Sequence, residues 1–226
     1  MKDECRLFCA ENPNTDGMFD YVFAKDPIMW VSIALGFSLE SVKLVVSRLL
    51  KELPYYKTYV GALDAGLIID GEVGPVKISS PLEILHCHGN GKAICIAEKL
   101  AEECGGNAST RPIDLSNTDL RCDGKKAVVL FYLNEDTFEN KDYEECEIVK
   151  RAMDDGIQVV LVHEKDPRYG GCPFSDIILQ TPQELKEDPY NLYTQDIAVS
   201  LYPEEEYQLV SLRQILSKIC ATPIVT

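Results

Sequence analysis

Residues 127–133 read AVVLFYL, seven consecutive apolar or aromatic side chains. A strand with one wet face alternates apolar and polar residues. An unbroken β-branched and aromatic run instead suits a strand buried on both faces, the position of a central strand in a parallel sheet. LEILHCH (82–88) and IQVVLVH (157–163) read the same way, and SDIILQT (175–181) and DIAVSLY (196–202) read as shorter strands. A weaker strand is expected around Pro112–Leu115. Helical patterns lie between these runs. KAICIAEKLAEECGG places Ile94, Ala97, Leu100 and Ala101 at helical spacing and stops at Gly105 and Gly106. A second helix is expected over about 143–154, and EEEYQLVSLRQILSKI (204–219) closes the segment as an amphipathic third. Strands alternating with single helices define βα units. The expected fold from residue 80 onward is therefore α/β: a flavodoxin-like, doubly wound parallel sheet of about five strands.

Residues 1–79 follow a different grammar and are expected to form a small α+β extension. DPIMWVSIALG reads as a short helix. Ser38 is placed to cap a second one, whose apolar face is Leu39, Val42, Val46, Leu49, Leu50 and Leu53, and which Pro54 ends. YKTYVGAL and GLIID-GE-VGPVKI then read as short strands, with Asp70-Gly71 marking a hairpin turn. Two helices followed by a hairpin is the order of a winged helix. The segment's acidic balance points to a packing or dimerisation role rather than DNA binding.

The chain has 226 residues, of which 37 are acidic and 22 basic, a net charge of −15. Such a surface repels phosphate backbones and anionic headgroups, which excludes nucleic acid or a bare membrane as the main partner. No apolar run approaches the ~20 residues of a membrane span. The polar start MKDECRLFCAENPNTDG has no signal-peptide pattern. Nine cysteines, an odd number with no CxxC spacing, indicate reduced thiols rather than a disulfide framework or a structural zinc site. The expected setting is the cytoplasm, as a whole protein or as a cytoplasmic part of a larger one.

In a doubly wound sheet, ligands bind beyond the carboxyl ends of the strands, where the strand order reverses. The loop HCHGNGKA belongs there. Its two glycines precede a helix N-terminus, where free N–H groups and the helix dipole favour an anion and Lys92 adds a charge. The same glycines also serve a plain strand-to-helix turn. His86, Cys87 and His88 do not suggest a metal site, because alternate strand residues point to opposite faces. Cys87 followed by HGNGKA is similar to the phosphocysteine loop of sugar-transport phosphocarrier domains, although the usual Ser or Thr at the end of that loop is missing.

Four stretches carry a more specific resemblance: FYLNEDTF (131–138), VKRAMDDGIQVVLVHEKDPRYGGCPF (149–174), TPQEL (181–185) and AVSLYPEEEYQLVSLRQIL (198–216). From about 82 to 219 the chain resembles a TIR (Toll/interleukin-1 receptor) domain, and is most similar to the divergent TIR-like domains of large protist and algal proteins. Residues 1–79 resemble no family. The resemblance implies an extension at 1–79 followed by a TIR-like domain at 80–226. It also implies signalling by self-association or by assembly with other TIR domains. Many TIR domains have an aromatic residue, three variable positions and a glutamate on the helix after the third strand. Tyr143-Glu144-Glu145-Cys146-Glu147 keeps that spacing, with Tyr for the usual Trp. In TIR enzymes that cleave NAD⁺ the matching glutamate acts on the nicotinamide ribose, which makes Glu147 the candidate catalytic residue. NAD⁺ would then be a substrate, and no resident cofactor or metal is required. Its pyrophosphate would rest on the loop His88-Gly89-Asn90-Gly91, with Tyr143 stacking on a ring. Positive charge develops on the ribose as the glycosidic bond breaks, and a carboxylate is suited to stabilise it. The alternative is equally plain: acids in the first turns of a helix are favoured by its dipole alone.

Overall fold

The computed structural model describes residues 26–32, 34–64, 66–87, 91–114, 120–122, 124–138, 144–195 and 197–221. The chain divides into two compact units, Met1–Gly71 and Glu72–Thr226.

In the second unit five parallel strands form one sheet: β1 (Leu82–Cys87), β2 (Ala108–Ile113), β3 (Lys126–Leu133), β4 (Gln158–Glu164) and β5 (Val199–Leu201). Their order, β2-β1-β3-β4-β5, is that of a flavodoxin-like doubly wound fold, and it reverses direction between β1 and β3. The AVVLFYL run occupies the centre. Val128, Leu130 and Tyr132 belong to one core, with α3 (Gly91–Glu103) and α8 (Glu205–Ala221) laid over it. Val129, Phe131 and Leu133 belong to the other, against α4 (Glu144–Asp154) and three short helices: α5 (Phe174–Gln180), α6 (Gln183–Lys186) and α7 (Leu192–Gln195). Two buried faces explain why no polar residue interrupts the run.

Two strand expectations move. The strand near Pro112–Leu115 lies earlier, at Ala108–Ile113. SDIILQT is not a strand but most of α5, with Pro173 at its N-cap. Its apolar triplet suggested a strand, yet only Ile177 is buried, while Leu179 is 78% exposed. In a strand these two side chains would share a face.

No helix is described between β2 and β3. Within residues 114–125, Leu120 is buried and packs into the α4-side core. The neighbouring corner of the sheet is polar. Lys125 Nζ donates to Ser109 Oγ at 2.9 Å, and Glu83 sits 3.5 Å from both Lys125 and Arg111. The thiol of Cys122 and these cations hold the Glu83 carboxyl below its usual range.

The first unit departs further from expectation. Residues 26–32 form no regular element, and the main helix α1 runs over Leu35–Glu52. The extended segment is clipped to it by Ser41, whose buried hydroxyl accepts from Val31 N at 2.9 Å and lies 3.2 Å from Val31 O. Ser38 is not the cap: it sits inside the first turn, with its hydroxyl on Ala34 O. Residues expected as a strand at YKTYVGAL are helical, a 3₁₀ segment at Pro54–Tyr59 followed by α2 (Val60–Asp64). Tyr55 and Tyr59, one helical turn apart, place their rings 6.0 Å from each other. Asp70-Gly71 does turn, with Gly71 at φ +86, but no hairpin forms around it. Ile68 on one arm is exposed, while Val76 and Ile78 on the other pack against the core of the second unit. A winged helix is thus not what residues 26–79 form.

The helical assignment of 174–180 is open to test by chemical denaturation. Ile177→Ala is expected to cost about 2–5 kcal/mol, and Leu179→Ala to stay within about 0.5 kcal/mol. Comparable losses at both positions would restore the strand.

Candidate functional site

The carboxyl ends of β1 and β3 meet at the reversal of strand order, and a small cleft opens there. It is lined by Cys87 at the end of β1, Ala93 in the first turn of α3, Leu130 and Tyr132 of β3, Thr137 and Glu145. Glu145 reaches the cleft from the start of α4, where helix geometry sends residue 147 about 200° further round the axis. Glu147 is not among the lining residues. Its carboxylate, 60% exposed, pairs with Lys150 at 3.0 Å, and Lys150 also reaches Glu184 of α6 at 2.7 Å. The Lys150 ammonium is accordingly held well above its usual range, by Glu184 first and then Glu147.

Of the other expected ligands, Gly91 is the exposed first residue of α3. His88, Gly89, Asn90 and Tyr143 lie outside the described residues. His86 is buried, with Nδ1 3.3 Å from Cys87 O. Cys87 packs into the α4-side core, only 8% exposed.

The segment after β4 closes the same end of the sheet, and it was not singled out by spacing. Buried Tyr132 donates from its hydroxyl to Glu164 Oε2 at 2.5 Å. The other carboxylate oxygen of Glu164 accepts from the backbone N–H groups of Lys165 (2.9 Å) and Asp166 (2.7 Å). Burial and the Glu164 carboxylate push the Tyr132 phenol far above its ordinary range. Asp166, also buried, caps the 3₁₀ turn Pro167–Tyr169 and is clamped by Arg168, whose Nε and Nη2 lie 3.0 and 2.7 Å from Oδ2. The guanidinium holds the Asp166 carboxyl below its usual range. Lys92 of α3 places its ammonium 3.8 Å from the centre of the Tyr169 ring, a cation–π contact at the rim. Asn134 joins the two loops, donating from Nδ2 to Tyr169 O at 3.1 Å, while Glu135 N donates to Gly170 O at 2.8 Å. Glu135 and Asp136 stand exposed beside it.

Glu164, Asp166 and Arg168 are therefore committed to holding loops in place. Among the described residues the one acid lining the cleft is Glu145, and the TIR spacing pointed instead to its neighbour two residues on. Only the Asp166-Pro167-Arg168 order, an acid before a proline turn, carried a local signal for the rest.

The second unit belongs to the flavodoxin-like α/β class by its sheet order and its two helical layers. No family model, curated protein or solved structure matches the chain.

Two measurements probe this end of the sheet. A Cβ added at Gly171 would fall 2.6 Å from the carbonyl carbon of Lys165 and 2.7 Å from Asp166 backbone atoms. Gly171→Ala is therefore expected to destabilise by about 1–3 kcal/mol in denaturant titration. His163 is buried, and its Nε2–H donates to Cys172 O at 2.8 Å. Burial, aided by nearby Lys165, holds its pKa below the ordinary 6.5. Below that value the unfolded chain takes up a proton that the folded chain declines, so stability falls as pH drops from 6.5 toward the lowered pKa. His163→Gln is expected to flatten that decline between about pH 7 and about pH 5; an unchanged slope would place the acid sensitivity elsewhere.

Proposed function

We propose that residues 72–226 act as a TIR-like assembly module, associating with themselves or with other TIR-like domains, rather than as an NAD⁺-cleaving enzyme. The observation that carries this reading is the placement of Glu147. The residue that the TIR pattern marks for catalysis faces solvent and Lys150, and a different acid lines the cleft. The Glu147 carboxylate is spent on a lysine that also holds Glu184, and its exposed half of the pair carries small energetic weight. It is poorly suited to stabilising charge on a bound ribose. The acidic rim at Glu135 and Asp136 argues the same way, since it repels a dianionic dinucleotide.

Assembly requires surface that gains from being covered. The crossover from β4 to β5 supplies some: Leu179 and Ile197 are 78% and 81% exposed, and Ile178 also reaches solvent. Apolar side chains presented this far from the core suit contact with another domain.

The test is sedimentation of the full chain over a concentration series, with nicotinamide release from NAD⁺ followed on the same samples. Self-association is expected, with Leu179→Glu plus Ile197→Glu weakening it about tenfold or more, or about 1.4 kcal/mol per factor of ten. Added salt is expected to strengthen it by screening the −15 net charge. Nicotinamide release that disappears in Glu147→Ala would replace this reading with the enzymatic one.

A further inference from the structure

α3 and α8 lie side by side over one face of the sheet, and Lys99 Nζ of α3 donates to Gln208 Oε1 of α8 at 2.6 Å. Each helix follows a strand of the parallel sheet and runs back along it. Both therefore end at the amino end of the strands, opposite the cleft. Tethers fix those ends. After α3, Asn107 O accepts from the N–H of Leu82, the first residue of β1, at 2.9 Å. At the end of α8, Lys126 Nζ, from the first residue of β3, donates to Ile219 O. Gln158 Nε2, from the first residue of β4, donates to Lys218 O at 3.2 Å. Carbonyls of a last helical turn have no partner within the helix, so such donors hold it in place. Leu82 and Lys126 are themselves paired, on neighbouring strands about 4.8 Å apart. The tethers thus gather two cysteines: Cys104, the residue after α3, and Cys220, in the last turn of α8. Cys104 shares one core with Leu216 and Ile219 of α8.

The two thiols differ in what they can do. Cys220 is exposed, whereas Cys104 is buried and its Sγ donates to Leu100 O at 2.9 Å. Burial, and after it the Cys220 thiol, push Cys104 up to about 11, so it stays a thiol near neutral pH. Cys220 also acts on the Lys126 ammonium, against the lowering that burial causes there. One exposed sulfur thus lies within electrostatic reach of a cation and of a second, sheltered sulfur. We propose that Cys220 and Cys104 form a disulfide when the protein meets a hydroperoxide, stapling the end of α8 to the end of α3. The exposed Cys220 sulfur, its proton lost to solvent, attacks one oxygen of hydrogen peroxide. The O–O bond breaks, and the departing hydroxide takes up a proton to become water. Cys220 is then a sulfenic acid. The Cys104 sulfur attacks it, the S–O bond breaks, and the second hydroxide leaves with the Cys104 proton as water. Two thiols give up two electrons and one peroxide is reduced. The new bond closes a loop that contains β2, β3, β4 and β5. A loop that long removes much of the freedom of the unfolded chain.

The experiment treats the full, reduced chain with hydrogen peroxide, alkylates the remaining thiols and maps the digest without reductant. An intrachain pair of Cys104 with Cys220 is expected, and dithiothreitol should release it. The melting temperature is expected to rise by about 5–10 °C on oxidation. Cys220→Ser, a change at an exposed position, should abolish both the pair and the rise. A 1,3-dione that traps sulfenic acids, added together with the peroxide, is expected to label Cys220 and not Cys104. Four results would each overturn the proposal: Cys104 still open to alkylation when the oxidised chain is unfolded, Cys220 joined instead to another cysteine or to a second chain, the dione on Cys104 first, or a rise in melting temperature that persists in Cys220→Ser. None of these readouts depends on association, so the staple and the assembly reading for residues 72–226 stand or fall separately.

Discussion

Everything in the second unit depends on β3 lying between two cores at once. Its backbone is hydrogen-bonded to β1 on one side and to β4 on the other. Its side chains alternate between the α3–α8 layer and the α4–α7 layer. Val128 through Phe131, and Leu133, have no exposed surface. A polar side chain anywhere in that run would be buried without water on either side, at a cost of several kcal/mol. The same constraint fixes the register of the neighbouring strands, because a one-residue slip would exchange every side chain between the two layers. The reversal of strand order at β1 and β3, and hence the cleft, follows from where this strand sits.

Much of the second unit was legible for that reason. Strands buried on both faces announce themselves by composition, and the helices between them by their spacing. The misreadings fall where local preference and packing disagree. Ile177-Ile178-Leu179 favours a strand in isolation, but one-sided burial selects a helix. In the first unit, YKTYVGAL suggested a strand by its tyrosines and β-branched residues, whereas the chain after Pro54 is helical and brings the Tyr55 and Tyr59 rings together. The apolar stripe of α1 was readable as a stripe. What it faces was not, because periodicity reports that a face exists and says nothing about what meets it.

The candidate site was legible in position and illegible in detail. Strand order places a cleft at the β1–β3 crossing, and the sequence order of strands and helices leads there. Which acid of the Glu144–Glu147 run turns inward depends on the rotation of α4, and that is set by Cys146, Val149 and Ala152 seating in the core. A two-residue offset in a helix reverses the direction of a side chain, so a motif carried over by spacing alone is vulnerable at this point. The Tyr132–Glu164 pair joins residues 32 positions apart and has no local signature at all.

The two margins of the sheet carry a consequence of their own. β5 is three residues long, and β2 contains Pro112, which has no N–H to offer, beside a corner of crossed charges. Short, proline-bearing and charged margins are poor templates for a further strand. Two copies of this chain meeting edge to edge would therefore find little backbone to pair with. The margins of the sheet thus guard it against fibrous growth.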